Sequence, residues 1–402
     1  MTPLERRSSA SLALIFALRM LGLFLVLPVF ALEAQKLPGG DDVALVGFAM
    51  GVYGLSQGLL QIPFGIASDR FGRKPVMVLG LVVFALGSLL AAMAPTLPWL
   101  VAGRALQGAG AISAAVTALL ADQTRDVVRT KAMALVGASI GLMFALSLVV
   151  SPLLTAWVGL QGVFLITATL ATLGIGVVVW WVPPAPCHES LATRSGLAGL
   201  AQVLRDPALL RVDLGVFVLH AVQLAMWVAL PAMLVQAGLE KAHHWQVYLP
   251  AVLASFVVMG ATLFPLERRG YLRAVFLVAI AAIALVQLGL WVQWGASPSA
   301  ASVPALAFWL FVFFCGFNVL EASQPSLASR LAPAASRGAA LGVYNTLQSL
   351  GFFVGGAAGG WLVKHLGPQA LFGACAAAMA VWLLVAWPMQ APAVKGVAAK
   401  AG

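Results

Sequence analysis

A chain of 402 residues that is 62% hydrophobic, with only 9% Asp, Glu, Lys and Arg and a mean hydropathy of +0.99, cannot hide its apolar surface inside a water-soluble core. Lipid is therefore the solvent for most of it, and the net charge of +10 matters through where the positive residues fall rather than through any affinity for nucleic acid. Scattered Cys187, Cys315 and Cys375 give no metal or redox spacing, and no P-loop, HExxH or Rossmann fingerprint occurs, so neither a metal, a cofactor nor ATP hydrolysis is expected.

At the N-terminus, Arg6 and Arg7 precede an apolar run over 12–32. It lacks a small-x-small cleavage site and is long enough to cross a bilayer, so it reads as a retained first span rather than a signal peptide. Spans are predicted at 11–34, 43–67, 75–94, 97–121, 131–156, 161–182, 209–236, 244–265, 272–294, 302–328, 338–363 and 369–388. Residues 183–208 are the one long polar connection. They divide the chain into bundles at 1–182 and 209–402, each of six spans. The expected fold is thus an all-α membrane protein of twelve transmembrane helices in two pseudo-symmetric six-helix bundles, with both termini cytoplasmic.

Charge tests that topology. With the N-terminus inside, eighteen of the 23 Lys and Arg fall in inside segments; Lys36, Lys241 and Lys364 fall outside, and Arg19 and Arg104 lie within spans. The halves also echo one another. "SDRFGR" (Ser68–Arg73) follows span two and "LERRGY" (Leu266–Tyr271) follows span eight. Duplicated halves are a mark of secondary transporters, whose substrate site lies between them near the midplane.

Four charges crowd the inside loop "FGIASDRFGRKPVM" (Phe64–Met77): Asp69, Arg70, Arg73 and Lys74. A positive-inside anchor needs only the basic ones. The acid is the surplus, and Gly65, Gly72 and Pro75 shape a tight reversal around it. Gly65-x-x-x-Asp69-Arg70-x-Gly72-Arg73-Lys74 resembles the signature loop between helices two and three of the major facilitator superfamily. "RALQGAGA" (Arg104–Ala111) resembles that superfamily's fourth-helix Arg-x-x-Gln-Gly pattern. The runs Arg19–Phe30, Asn318–Pro333 and Gly342–Gly360 are similar to its YajR-type, drug-efflux-like subgroup.

The resemblance implies the major facilitator fold and alternating access. It implies that Asp69 latches onto the N-terminus of span eleven, near Gly338 to Ala340, in the outward-open state; a carboxylate is favoured at that end of a helix. Arg73 is then expected to pair with Asp122. There are two departures. Antiporters of the superfamily often carry Gly-Pro-x-x-Gly-Gly in helix five, whereas "SLVVSPLLTAW" keeps Pro152 but has Ser151 before it and no glycine pair. Some YajR-type members append a C-terminal soluble domain, and none is expected after residue 388.

Ionisable side chains inside spans are costly and so are functional candidates. Arg19, Arg104, His220 and Glu321 qualify. Glu321 and His220 are the expected proton carriers, since burial moves both toward neutral pH. Arg19, at similar depth, is expected to pair with ionised Glu321; Arg104 is expected to lie apart, nearer the outer face. Helical spacing groups His220, Gln223 and Trp227, then Asn318 with Glu321, then Tyr53, Gln57 and Gln61. Tyr344 with Gln348, Asn345 with Ser349, and Arg104 with Gln107 complete a set of polar stripes. A shared wet cavity accounts for them, and so does plain helix–helix hydrogen bonding. "GASIG" (Gly137–Gly141) fits a serine-hydrolase pattern but lies in mid-span, and the recurring glycines of span eleven read as packing faces.

The leading expectation is a monomeric, multi-pass transporter of the bacterial inner membrane that exports small amphipathic molecules by proton exchange, its partners being substrate, protons and lipid. A proton-coupled nutrient or metabolite symporter is the rival. A scaffold or receptor gains nothing from a latch and a buried acid, and no paired catalytic groups converge for an enzyme.

Overall fold

The computed structural model describes residues 1–184, 200–296, 302–333 and 336–390. Cys187 and most of the predicted linker lie outside the described residues. Among the described residues regular structure is helical throughout: α1 Pro3–Phe24, α2 Leu27–Ala34, α3 Val43–Phe71, α4 Arg73–Ala92, α5 Leu97–Ala109, α6 Ser113–Asp122, α7 Asp126–Gly176 with a π turn at Val177–Trp181, α8 Pro207–Gln236, α9 Trp245–Arg268, α10 Leu272–Ala296, α11 Val303–Leu331 and α12 Arg337–Ala386.

Among the described residues, ten helical stretches are long and apolar enough to cross a membrane. Two of them, Leu135–Trp181 of 47 residues and Arg337–Ala386 of 50, exceed what a bilayer of ~30 Å can hold at ~1.5 Å per residue. Each is broken once, at Gly159 (φ 66°) and Gly367 (φ 81°), a backbone region open chiefly to glycine. These breaks coincide with the short connections predicted between spans five and six and between eleven and twelve. "GASIG" lies within α7.

Two predicted spans are themselves broken. Pro28 has no N–H for the carbonyl of Phe24, and α1 gives way to α2 there. The carbonyls of Gly22 and Leu25 near this break are taken up by the hydroxyls of Thr167 (3.0 Å) and Ser151 from α7. Ser151, the departure from the glycine pattern, thus serves the neighbouring helix. Span four breaks between α5 and α6 at Gly110. Freed carbonyls inside a membrane need such partners.

Helices α1–α7 pack on one another, as do α8–α12, and the two groups meet above all along α3 and α12. Glycine makes that contact possible. A methyl at Gly47, Gly51 or Gly54 would strike the α12 backbone at Gly356, Phe353 or Ser349, and one at Gly356 or Gly360 would strike α3. The other series, Gly351 and Gly355, faces Phe217 and Ala221 of α8. Bulky apolar side chains such as Trp157, Trp180, Val257 and Leu384 stand on the outside, as they do where lipid is the solvent.

Candidate functional site: a split polar centre between two charged faces

The helix ends carrying Arg73, Arg268, Arg330 and Arg337 form one face of the molecule, the arginine face. Those carrying Lys36, Lys241 and Lys364 form the other, the lysine face.

On α8, Nδ1 of His220 lies 2.8 Å from the carbonyl of Val216, four residues back. With that nitrogen donating, Nε2 is left facing Glu321 Oε2 of α11 at 3.2 Å and the Gln348 amide nitrogen of α12 at 2.8 Å. A proton on either Nε2 or Oε2 bridges the pair; with neither protonated, two acceptors confront each other. His220 is 2% exposed and the Glu321 side chain 37% exposed, so the imidazole stands in the core behind a partly open carboxylate. Glu321 thus faces side chains of α8 and α12.

Arg19 does not pair with Glu321, contrary to expectation. Its guanidinium is spent within the N-terminal half: on Ser113 Oγ (3.0 Å), Tyr53 Oη (3.0 Å), Gln57 Oε1 (3.0 Å) and the Gly110 carbonyl (3.2 Å) that the span-four break frees. The physical reason is proximity: α3 and the α5–α6 break offer four acceptors at once. Arg104 does not lie apart either. Its Cζ sits 5.0 Å from the ring centre of the same Tyr53 and 5.7 Å from that of Phe30, and Nη1 donates to Gln107 (2.6 Å), which in turn donates to Ser88 (2.8 Å). Both arginines are 1% exposed.

Gln57 joins the two centres. Its carbonyl takes Arg19, and its amide donates to Ser349 Oγ on α12 (3.0 Å). Ser349 in turn donates to the Asn345 carbonyl. On the lysine side of this belt lies an aromatic roof. Phe144 of α7 meets Phe24 at 5.2 Å and, across the halves, Phe314 at 6.0 Å and Phe317 at 6.4 Å; Phe352 stands edge-on to His220 at 4.8 Å.

Other predicted residues are placed elsewhere. Trp227 packs on Tyr248 of α9 in the core, 5.3 Å between rings. Asn318 spends its amide on Ser255 of α9 (2.7 Å), which is helix–helix bonding. Gln61 and Gln223 are buried, and each has an amide oxygen without a partner among the described residues. Tyr344 is buried with its hydroxyl unpartnered. One acid is missing from the sequence-based set: Asp213, 2% exposed on α8, with Oδ2 unpartnered. Its signal is present in the spacing, seven residues before His220 on the same helical face.

At the arginine face, Arg73 binds Asp122 (3.1 Å), Asp69 and Ser68 Oγ (2.8 Å), and Lys74 donates to the Val182 carbonyl (2.8 Å). Arg70 lies over Phe71, Gly65 sits opposite Ala114, and Gly72 takes φ 94° at the reversal. The Arg73–Asp122 pair is thus formed. Asp69 is not at the start of α12 in this conformation: its ion pair is with Arg73, and a β-carbon at Gly338 would touch nothing. The lysine face explains why. There Lys241 pairs with Glu33, and Lys364 with Asp42 (2.8 Å), each across the halves. Among the described residues, no ion pair crosses the halves at the arginine face. Among the described residues, ion pairs join the halves at the lysine face alone.

Two bundles meeting on a polar belt, joined by ion pairs at one face, have the arrangement of a secondary transporter. The superfamily model for the Major Facilitator Superfamily matches residues 12–348 and 263–401, and the chain belongs to that superfamily, a family of transporters and not of enzymes. It is 42% identical to the inner membrane transport protein YajR of Escherichia coli (strain K12), covering 98% of this chain and 85% of that one. It is 26% identical to the multidrug resistance protein MdtH of Yersinia enterocolitica, covering 85% and 83%. Its fold matches the crystal structure of a point mutant of the nucleoside transporter NupG with a TM-score of 0.73 at 15% identity, covering 96% and 100%.

Proposed function

We propose that this chain is a proton-coupled secondary transporter of small organic molecules in the bacterial inner membrane, working by alternating access with the arginine face toward the cytoplasm. The observation that carries the reading is the His220–Glu321 contact at 3.2 Å, one side chain in the core and the other partly exposed. Glu321 takes a proton from the open side and shares it with His220 Nε2, Gln348 donates its amide N–H to the pair, and rocking about the α3–α12 seam exposes them to the other side. Asp69, Arg73 and Asp122 act at the arginine face when that face closes. Export by proton exchange is the first reading, supported by likeness to a protein named for multidrug resistance. Uptake together with a proton is the second, favoured by the two buried arginines that no carboxylate among the described residues balances.

The test is transport by purified protein in proteoliposomes under several imposed pH gradients. Glu321→Gln is expected to abolish coupling to the gradient, a loss of about 100-fold or more in gradient-driven flux, while residual exchange persists. Full coupling in that variant overturns the assignment.

A further inference from the structure

Arg19 and Arg104 are both 1% exposed, and every hydrogen bond they make is to a neutral group. Nε of each lacks a partner, and among the described residues no carboxylate pairs with either. Guanidinium stays protonated when buried, so two positive charges flank one tyrosine, Arg19 at the Tyr53 hydroxyl and Arg104 over its ring, with no counter-ion among the described residues. The C-terminal half has the opposite character, with Glu321 and Asp213. Gln57, half-buried, stands between Arg19 and the α12 wall and passes that positive field into the space between the halves. Above it is the roof of Phe24, Phe144, Phe314, Phe317 and Phe352.

We propose that this pocket takes a compact aromatic anion, its ring against the phenylalanine roof and its carboxylate or equivalent group drawn to the Arg19–Arg104 side at Gln57. The proposal rests on the pocket being the transport pocket, as above, and it selects between the two directions of coupling. An anion is repelled by ionised Glu321 and not by protonated Glu321, so by reciprocity it strengthens proton binding there. His220 from α8 and Gln348 and Tyr344 from α12 face Glu321, and Asp213 lies farther along α8 within electrostatic reach of Tyr344. Anion and proton therefore load together, which is cotransport. A cationic substrate would compete with the proton, which is exchange.

The experiment compares two probes sharing one ring, 2-naphthoate and 2-naphthylmethylammonium. Binding to the full chain in detergent is read by thermal stabilisation, and movement is read in proteoliposomes. Naphthoate is expected to bind, the ammonium to bind about tenfold or more weakly, and Arg19→Gln to lower naphthoate affinity about tenfold or more. Gln57→Glu, isosteric and at a half-exposed position, gives the same loss without removing a buried group. Naphthoate uptake is expected to be driven by an inward proton gradient, and Glu321→Gln to erase that drive. Preference for the ammonium, absence of binding by naphthoate, or unchanged naphthoate affinity in Gln57→Glu overturns the proposal. Gradient-driven movement of the ammonium that needs Glu321 overturns it while leaving proton coupling standing. Charge-selected naphthoate binding with gradient-driven uptake unaltered in Glu321→Gln upholds it and sinks the proton site instead.

Discussion

The lysine face and the arginine face use ion pairs in opposite ways. At the lysine face two pairs tie one half to the other, Lys241 to Glu33 and Lys364 to Asp42, beside two that stay within a half, Lys36 with Glu33 and His243 with Glu240. At the arginine face Arg73 binds Asp122 and Arg330 binds Glu267, each within its own half. The difference teaches where a conformational change can be written in charge. Pairs within a half survive rocking and give shape, whereas pairs between halves must break in every cycle and so must be weak. Lys364 and Asp42 are each about two-fifths exposed, at 41%, where such pairs are worth ~0–1 kcal/mol.

The comparison is broken most severely by steric means. Gly356→Leu drives a side chain into the α3 backbone at Gly47 and Gly51, so the lysine face cannot close; loss of essentially all transport is expected, with spin-label distances between the lysine-face ends of α3 and α12 lengthened. Next comes Asp69→Asn, which leaves the inserted fold intact because its present partner Arg73 keeps Asp122, yet removes the acid expected to meet α12 when the arginine face closes. Flux is expected to fall about tenfold or more, with no loss of thermal stability. The double change Lys241→Glu and Lys364→Glu turns two attractions into two repulsions and shifts the equilibrium away from this conformation by roughly tenfold, read by the same spin labels. The smallest effect is Asp42→Asn, under about fivefold, since asparagine still caps α3 where Asp42 Oδ1 now accepts from Ala44 and Leu45.

pH sharpens the last case. Lys364, and after it the N–H of Leu45, hold the Asp42 carboxyl below its ordinary range. The clasp is therefore complete above that ordinary range and is lost only as pH at the lysine face falls through the lowered value, below about pH 4. The acid-induced lengthening is expected to disappear in Asp42→Asn.

Much of the architecture is legible in the sequence because its causes are local. Runs of apolar residues mark spans, and the arginine bias marks sides. Glu321 and His220 stand out because a charge in hydrocarbon needs a reason. What stays hidden depends on which helix a stripe meets. Periodicity puts Arg19 on a face of its helix, but the acceptors at Gly110 and Tyr53 come from α3 and the α5–α6 break, and only packing brings them near. The same holds for Asn318, whose stripe points to the cavity while its amide finds Ser255. Asp213 escapes notice because it lies near a span end, where an acid looks like a loop residue.

The glycine seam between α3 and α12 has one further consequence. Where Gly47, Gly51, Gly54, Gly356 and Gly360 meet, main chain rests on main chain, with no rotamers to unlock and no knobs to lift from holes. A joint of that kind meets little resistance to small rolling displacements, so the activation enthalpy of the rocking step should be set by the ion pairs and the phenylalanine roof at its ends. An Arrhenius slope that steepens when Gly51 is replaced by alanine would give the bearing surface its own measurable friction.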